Sequence, residues 1–186
     1  ISALMISGLT LPTLDERPRR TFSLADFLGI NDLREGLRYV AGHPRVAALL
    51  LVKSGWAMSG GILVVLTVFG EQVFATPDGQ GGNSGILYSA RGLGAALGPL
   101  LAWRLFGEGG RAMSRSIGAS FFVASAAYLL FSQAPTLAWA ALFVFCGHLG
   151  GAVQWVFSPT LLQRLGEDRF RGRVLAGEVA LLTLIF

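Results

Sequence analysis

The chain alternates long apolar runs with short polar connections, and the length of the runs points to a membrane. A helix needs about 20 mostly apolar residues to cross a hydrocarbon core of ~30 Å. Four runs approach that length: 46–69, interrupted by Lys53; 84–106, interrupted by Arg91 and with Arg104 near its end; 116–131; and 137–162, with Pro159 near its end. Two shorter runs, 1–11 and 174–186, predict partial spans. The chain therefore reads as a fragment of a longer membrane protein. The predicted fold class is all-α, a polytopic membrane helix bundle of about four complete transmembrane helices plus two partial ones. Residues 1–11 would end one transmembrane helix, 12–45 would form a cytoplasmic loop, and 46–186 would form the bundle.

The connections carry turn chemistry. Thr76 to Asn83 is a cluster of turn formers, Gly109 and Gly110 lie in the connection 107–115, and Pro135 lies in 132–136. Residues 166–173 form a compact basic connection. The long connection 13–45 predicts a surface helix. Asn31 can cap it, Leu33, Leu37 and Val40 share a face at i, i+4, i+7, and His43-Pro44 ends it, because a residue before proline avoids helical backbone. Such a helix would lie at the membrane interface or pack on the cytoplasmic ends of the protein's own spans.

Composition sharpens this picture. Hydrophobic residues make up 53% and charged residues 14% of the 186 positions, against roughly 25% charged in soluble domains. Mean hydropathy is +0.59. A plain soluble enzyme and a disordered chain are both excluded on these grounds. Cys146 stands alone inside an apolar run, with no disulfide partner and no metal-ligand spacing.

The net charge of +4 would suggest nucleic acid in a soluble protein. Its placement suggests otherwise. Arg17, Arg19, Arg20, Arg34, Arg38 and Arg45 lie in the first connection, Arg104, Arg111 and Arg115 in or beside the third, and Arg164, Arg169, Arg171 and Arg173 in or beside the fifth. The second and fourth connections hold no Lys or Arg. This is a positive-inside pattern. It accounts for the basicity with a lipid bilayer as partner and no nucleic acid, and it puts the loop containing Asp78 outside.

Several segments resemble the major facilitator superfamily, in its branch of enterobactin-type exporters. The run from Leu161 through Arg164, Arg169, Arg171 and Arg173 to Val174, preceded by Gln154-Trp155-Val156-Phe157-Ser158, resembles that family's loop between helices ten and eleven. Glu35-Gly36-Leu37-Arg38-Tyr39 to His43-Pro44-Arg45 resembles the lead into helix seven, and Ser89 to Pro99 resembles helix eight. The resemblance covers about three-quarters of the chain in order and spacing. It implies that 1–11 ends helix six, that the four long runs are helices seven to ten, and that 174–186 begins helix eleven. It further implies a secondary active transporter, a small-molecule exporter of the bacterial inner membrane working by alternating access. Its partners would be the missing N-terminal half and a small-molecule substrate, with no cofactor. The chain departs from the family's motif after helix eight, at Gly107 to Arg111. The contrasting class is a membrane-embedded enzyme or an accessory subunit of a membrane complex. That class calls for clustered His, Asp or Glu, and no catalytic or metal-ligand motif is present.

Candidate site residues follow from cost. A charge inside a span costs about 2.5–3.5 kcal/mol or more and marks a functional candidate. Arg91 shares a face with Ser84, Tyr88 and Ala95 and should face protein or a cavity. Lys53 lies roughly 10 Å from the cytoplasmic edge of its span, within reach of snorkelling, and Trp56 lies one turn away. His148, near the middle of its span, can relay protons or pack as a neutral residue. Gly94 and Gly98 form GxxxG, and Gly147, Gly151, Gln154 and Ser158 share a face suited to close helix contact. Tyr88, Lys53, Trp56, Arg91, His148 and Gln154 are thus transport-pathway candidates. Arg169, Arg171, Arg173 and Glu178 are candidates for a cytoplasmic gate, with Glu178 expected to pair with a loop Arg. No carboxylate is expected deep in any complete span.

Overall fold

The computed structural model describes residues 29–75 and 82–185. These form six helices: α1 (Ile30–Gly42), α2 (Pro44–Val73), α3 (Gly82–Phe106), α4 (Gly110–Phe131), α5 (Leu137–Leu165) and α6 (Asp168–Ile185). The expected partial span 1–11, Arg17, Arg19, Arg20 and Asp78 lie outside the described residues.

Three helices are long and apolar enough to cross a membrane: α2, α4 and α5. The expectation was four. The remaining long helix, α3, has 25 residues, but Arg91, Arg104 and its many glycines dilute its apolar character. Large side chains such as Met58, Leu105, Phe122 and Leu129 point outward into solvent-accessible space. An apolar surface this extensive fits lipid as its neighbour.

Helix boundaries depart from the sequence reading at three places. The cap of α1 is Gly29, in the left-handed region at φ 69°, and Asn31 lies within the first turn. α4 begins at Gly110, so most of the expected connection 107–115 is helical. α6 begins at Asp168, so Arg169, Arg171 and Arg173 sit on a helix and not in a loop. His43 and Pro44 do separate α1 from α2, with Pro44 opening the second helix, where a missing N–H costs nothing.

α2 is not regular throughout. Its α-helical hydrogen bonding runs from Pro44 to Ala57 and from Ile62 to Val68, with a π-helical end at Phe69–Val73. In between, the amides of Ser59, Gly60 and Ile62 bond to the carbonyls of Trp56, Ala57 and Ser59 at 2.9, 2.8 and 2.9 Å. These i→i+3 bonds tighten the chain locally, as mid-helix interruptions do.

α5 is the central post, in contact with α2, α3, α4 and α6. Gly94 and Gly98 press the backbone of α3 against the carbonyls of Phe145 and Leu149 on α5, and a Cβ at either position would overlap those oxygens. The GxxxG expectation is realised as backbone contact. α1 packs on α6 and α2. Tyr39 faces the bundle, whereas Ile30, Leu33 and Leu37 point away from it. The apolar face of Leu33 and Leu37 thus points outward, as on a helix at an interface, while Asp32 and Glu35 engage α6 from the opposite side.

The buried residues form two apolar clusters at different heights. One holds Val46, Leu49, Leu50, Ala102, Met113, Ile117, Phe157, Leu161 and Val174. The other holds Leu66, Leu87, Phe131, Ala140 and Val144. At the end of the bundle next to the first cluster, Arg164 donates to the Glu108 carbonyl at 2.8 Å, and the Glu167 amide donates to the Tyr39 hydroxyl at 3.2 Å. Those bonds bring the three basic connections to one end. Every described Arg except Arg91 lies there.

Candidate functional site

Between the two apolar clusters lies a polar layer. In it a cavity of about 650 Å³ is lined by Trp56, Ser59 and Gly60 of α2, Arg91 and Ala95 of α3, His148, Gly151 and Trp155 of α5, and Leu182 and Thr183 of α6. The interruption of α2 thus borders the cavity. Trp56 reaches it by lying against Gly151, where any Cβ would collide with the indole.

Arg91 and His148 meet in the cavity wall. Arg91 Nε donates to His148 Nε2 at 3.0 Å. A guanidinium carries no acceptor, so that imidazole nitrogen must present its lone pair. The ring hydrogen then sits on Nδ1, which lies 2.7 Å from the Tyr128 hydroxyl and 3.3 Å from the Val144 carbonyl. Trp56 packs edge-on to the same imidazole, with ring centroids 5.9 Å apart. His148 is held on all sides as a neutral acceptor for Arg91. Among the described residues no carboxylate lies within ion-pair distance of Arg91.

A second polar group lies behind the Trp155 wall. Lys53 Nζ pairs with Glu178 Oε2 at 3.0 Å, and both are buried, with 8% and 1% of their surface exposed. Ser158 donates to Glu178 Oε1 at 2.6 Å and lies 3.2 Å from the Leu49 carbonyl. The Lys53 ammonium stands 4.9 Å from the Trp155 ring centroid. This corrects one expectation. Glu178, on a run expected to be a partial span, pairs with Lys53 and not with a loop Arg. The reason is the early start of α6: ten residues of helix carry Glu178 about 15 Å from Asp168. Lys53 is not snorkelling, since its ammonium finds an ion partner inside the protein.

Among the other expected pathway residues, Tyr88 lies outside the cavity. It donates to the Leu63 carbonyl at 3.0 Å and meets Thr67 at 3.1 Å, joining α3 to α2. Gln154 is buried on the face of α5 that also carries Gly147, Gly151 and Ser158, and its amide has no hydrogen-bond partner among the described residues.

The expected gate residues join a different pair of helices. Arg169 reaches Glu35 at 3.2 Å, Arg173 reaches Glu35 at 2.6 Å and also pairs with Asp32, and Arg171 pairs with Asp168 of its own helix at 2.6 Å. The contacts between helices therefore tie α6 to α1, not α6 to the end of α5. The guanidinium groups of Arg169 and Arg173 also lie over the Phe170 ring.

Sequence reasoning missed Tyr128 and the α2 interruption, and it placed Ser158 in a helix contact without the bond to Glu178. Tyr128 and Ser158 are isolated polar residues in apolar runs, and Gly60-Gly61 was a visible weak point in the first span. Among the described residues no group of three or more His, Cys, Asp or Glu could hold a metal ion. The chain matches no family model, no curated protein and no solved structure.

Proposed function

We propose that the chain forms the second-half bundle of a secondary active transporter of the major facilitator type, a small-molecule exporter of the bacterial inner membrane. The observation that carries this reading is a largely apolar cavity midway along the bundle, with Arg91 and His148 in its wall and an interrupted helix at its border. Transporters place substrate sites near the bilayer midplane, beside discontinuous helices. In this reading α3, seated on α5 through Gly94 and Gly98, would add a fourth crossing to the three helices long and apolar enough to span a membrane. The Arg-rich end faces the cytoplasm. The preceding half would supply the opposite wall, and rocking between halves would expose the cavity to each side in turn. Arg169 and Arg173, joined to Glu35 and Asp32, would then act at the cytoplasmic end by holding α1 to α6 in one state.

The test is counterflow transport in proteoliposomes containing the intact transporter, with a panel of small organic anions, cations and neutral compounds. Saturable exchange of one class, abolished by Gly151→Trp, is expected. No exchange of any class would contradict the reading.

A further inference from the structure

We infer that the cavity binds an amphipathic organic monoanion, a flat apolar body carrying one carboxylate-like group. The inference rests on the transporter reading for its biological meaning, but its chemistry comes from the cavity itself. Arg91 uses only Nε on His148. Its two terminal nitrogens have no acceptor among the described residues. They form the fork that matches the two oxygens of a carboxylate.

The charge balance of the layer favours one negative charge. Lys53 and Glu178 cancel. His148, as the acceptor for Arg91, contributes none. One positive charge, on Arg91, is left without a counter-charge among the described residues, in a region where an uncompensated ion is costly. A cationic ligand would meet repulsion. A small inorganic dianion would lose its hydration against two indoles and a single guanidinium.

The remaining walls set the body of the ligand. Trp56 and Trp155 supply aromatic faces, and Leu63, Val156 and Leu182 supply aliphatic surface. A volume of about 650 Å³ suits a drug-sized molecule. The cavity lies between two apolar clusters, away from the level of lipid headgroups, which favours a soluble organic acid over a phospholipid as the source of the anion.

The experiment uses the intact protein in phosphatidylcholine nanodiscs, titrated with 9-anthracenecarboxylate and with its neutral carboxamide. Energy transfer from tryptophan to the anthracene ring reports binding. Saturable binding of the carboxylate is expected, with the carboxamide weaker by roughly tenfold or more. Arg91→Gln should bring the carboxylate down to the level of the carboxamide while leaving carboxamide binding unchanged, which shows that the cavity persists. Arg91→Lys should retain part of the difference. Equal binding of the two probes, undiminished carboxylate binding in Arg91→Gln, absence of saturable binding, or displacement by added phosphatidylglycerol would each overturn the inference. Counterflow separates the two readings. Exchange of neutral cargo with no anion binding defeats this inference alone, and anion binding without exchange of any class defeats the transporter reading alone.

Discussion

Lys53 of α2 and Glu178 of α6 form a buried ion pair, 3.0 Å from Nζ to Oε2, closed on one side by the Ser158 hydroxyl of α5. Three helices therefore converge on one carboxylate. Removing one member of a buried pair leaves a charge with no counter-ion, which costs about 3–5 kcal/mol, whereas replacing both with apolar groups is often tolerated. Glu178→Gln should lower thermal stability in detergent clearly. Lys53→Met with Glu178→Leu should recover most of the loss. A double variant as unstable as the single one would show that the pair does not act as a unit.

Close contact between α3 and α5 depends on the absence of side chains at Gly94 and Gly98. Gly98→Ala should cost about 1–3 kcal/mol, as overpacking does, and Gly98→Leu should prevent assembly. Gly92 on the same helix has open space around its position. Gly92→Ala should therefore be neutral or slightly stabilising through helix propensity. Unfolding midpoints of the three variants check the contrast.

Much of the architecture could be read from the sequence, because its signals are local. Apolar run lengths marked α2, α4 and α5, His43-Pro44 marked the break before α2, and Gly94 with Gly98 marked the α3–α5 contact. Misread features depended on where helices begin and on what lies across an interface. Starting α6 at Asp168 moved Glu178 from an interfacial position to a buried one and carried Arg169 and Arg173 to α1. Periodicity put Leu33 and Leu37 on one face of α1 correctly, but it could not say which face the bundle would choose. In the site, Arg91, His148 and Trp56 were identifiable as costly or bulky residues within spans. Their union was not, since His148 lies 57 residues beyond Arg91 and the two meet only through helix packing.

α1 is held to α6 closely enough for a covalent check. A Cβ built on Gly36 would lie 3.7 Å from the Cβ of Arg173, inside the ~3.5–4.5 Å range of disulfides. In a Cys146→Ala background, Gly36→Cys with Arg173→Cys should crosslink under mild oxidation. Gly42→Cys with Arg173→Cys should not, because nothing lies within 4 Å of a Cβ at Gly42. Mobility on non-reducing gels distinguishes the two.

Orientation follows from the basic end. In the Cys146→Ala background, a cysteine at Asp78 should react with an impermeant maleimide added to intact cells. A cysteine at Glu167, beside Tyr39 at the basic end, should react only after permeabilisation. The opposite pattern would reverse the assignment of the cytoplasmic side.

The most direct test of the account is transport by the intact protein carrying Arg91→Ala, measured in proteoliposomes at matched abundance with Gly92→Ala as control. A charge-assisted hydrogen bond to the cargo is worth about 1.5–3 kcal/mol, or roughly 10- to 100-fold in rate or affinity. Arg91→Ala should fall by that factor, Arg91→Lys should fall less, and Gly92→Ala should match the wild type. Wild-type transport by Arg91→Ala would contradict the account, because the one charged wall residue among the described residues would then take no part in moving the cargo.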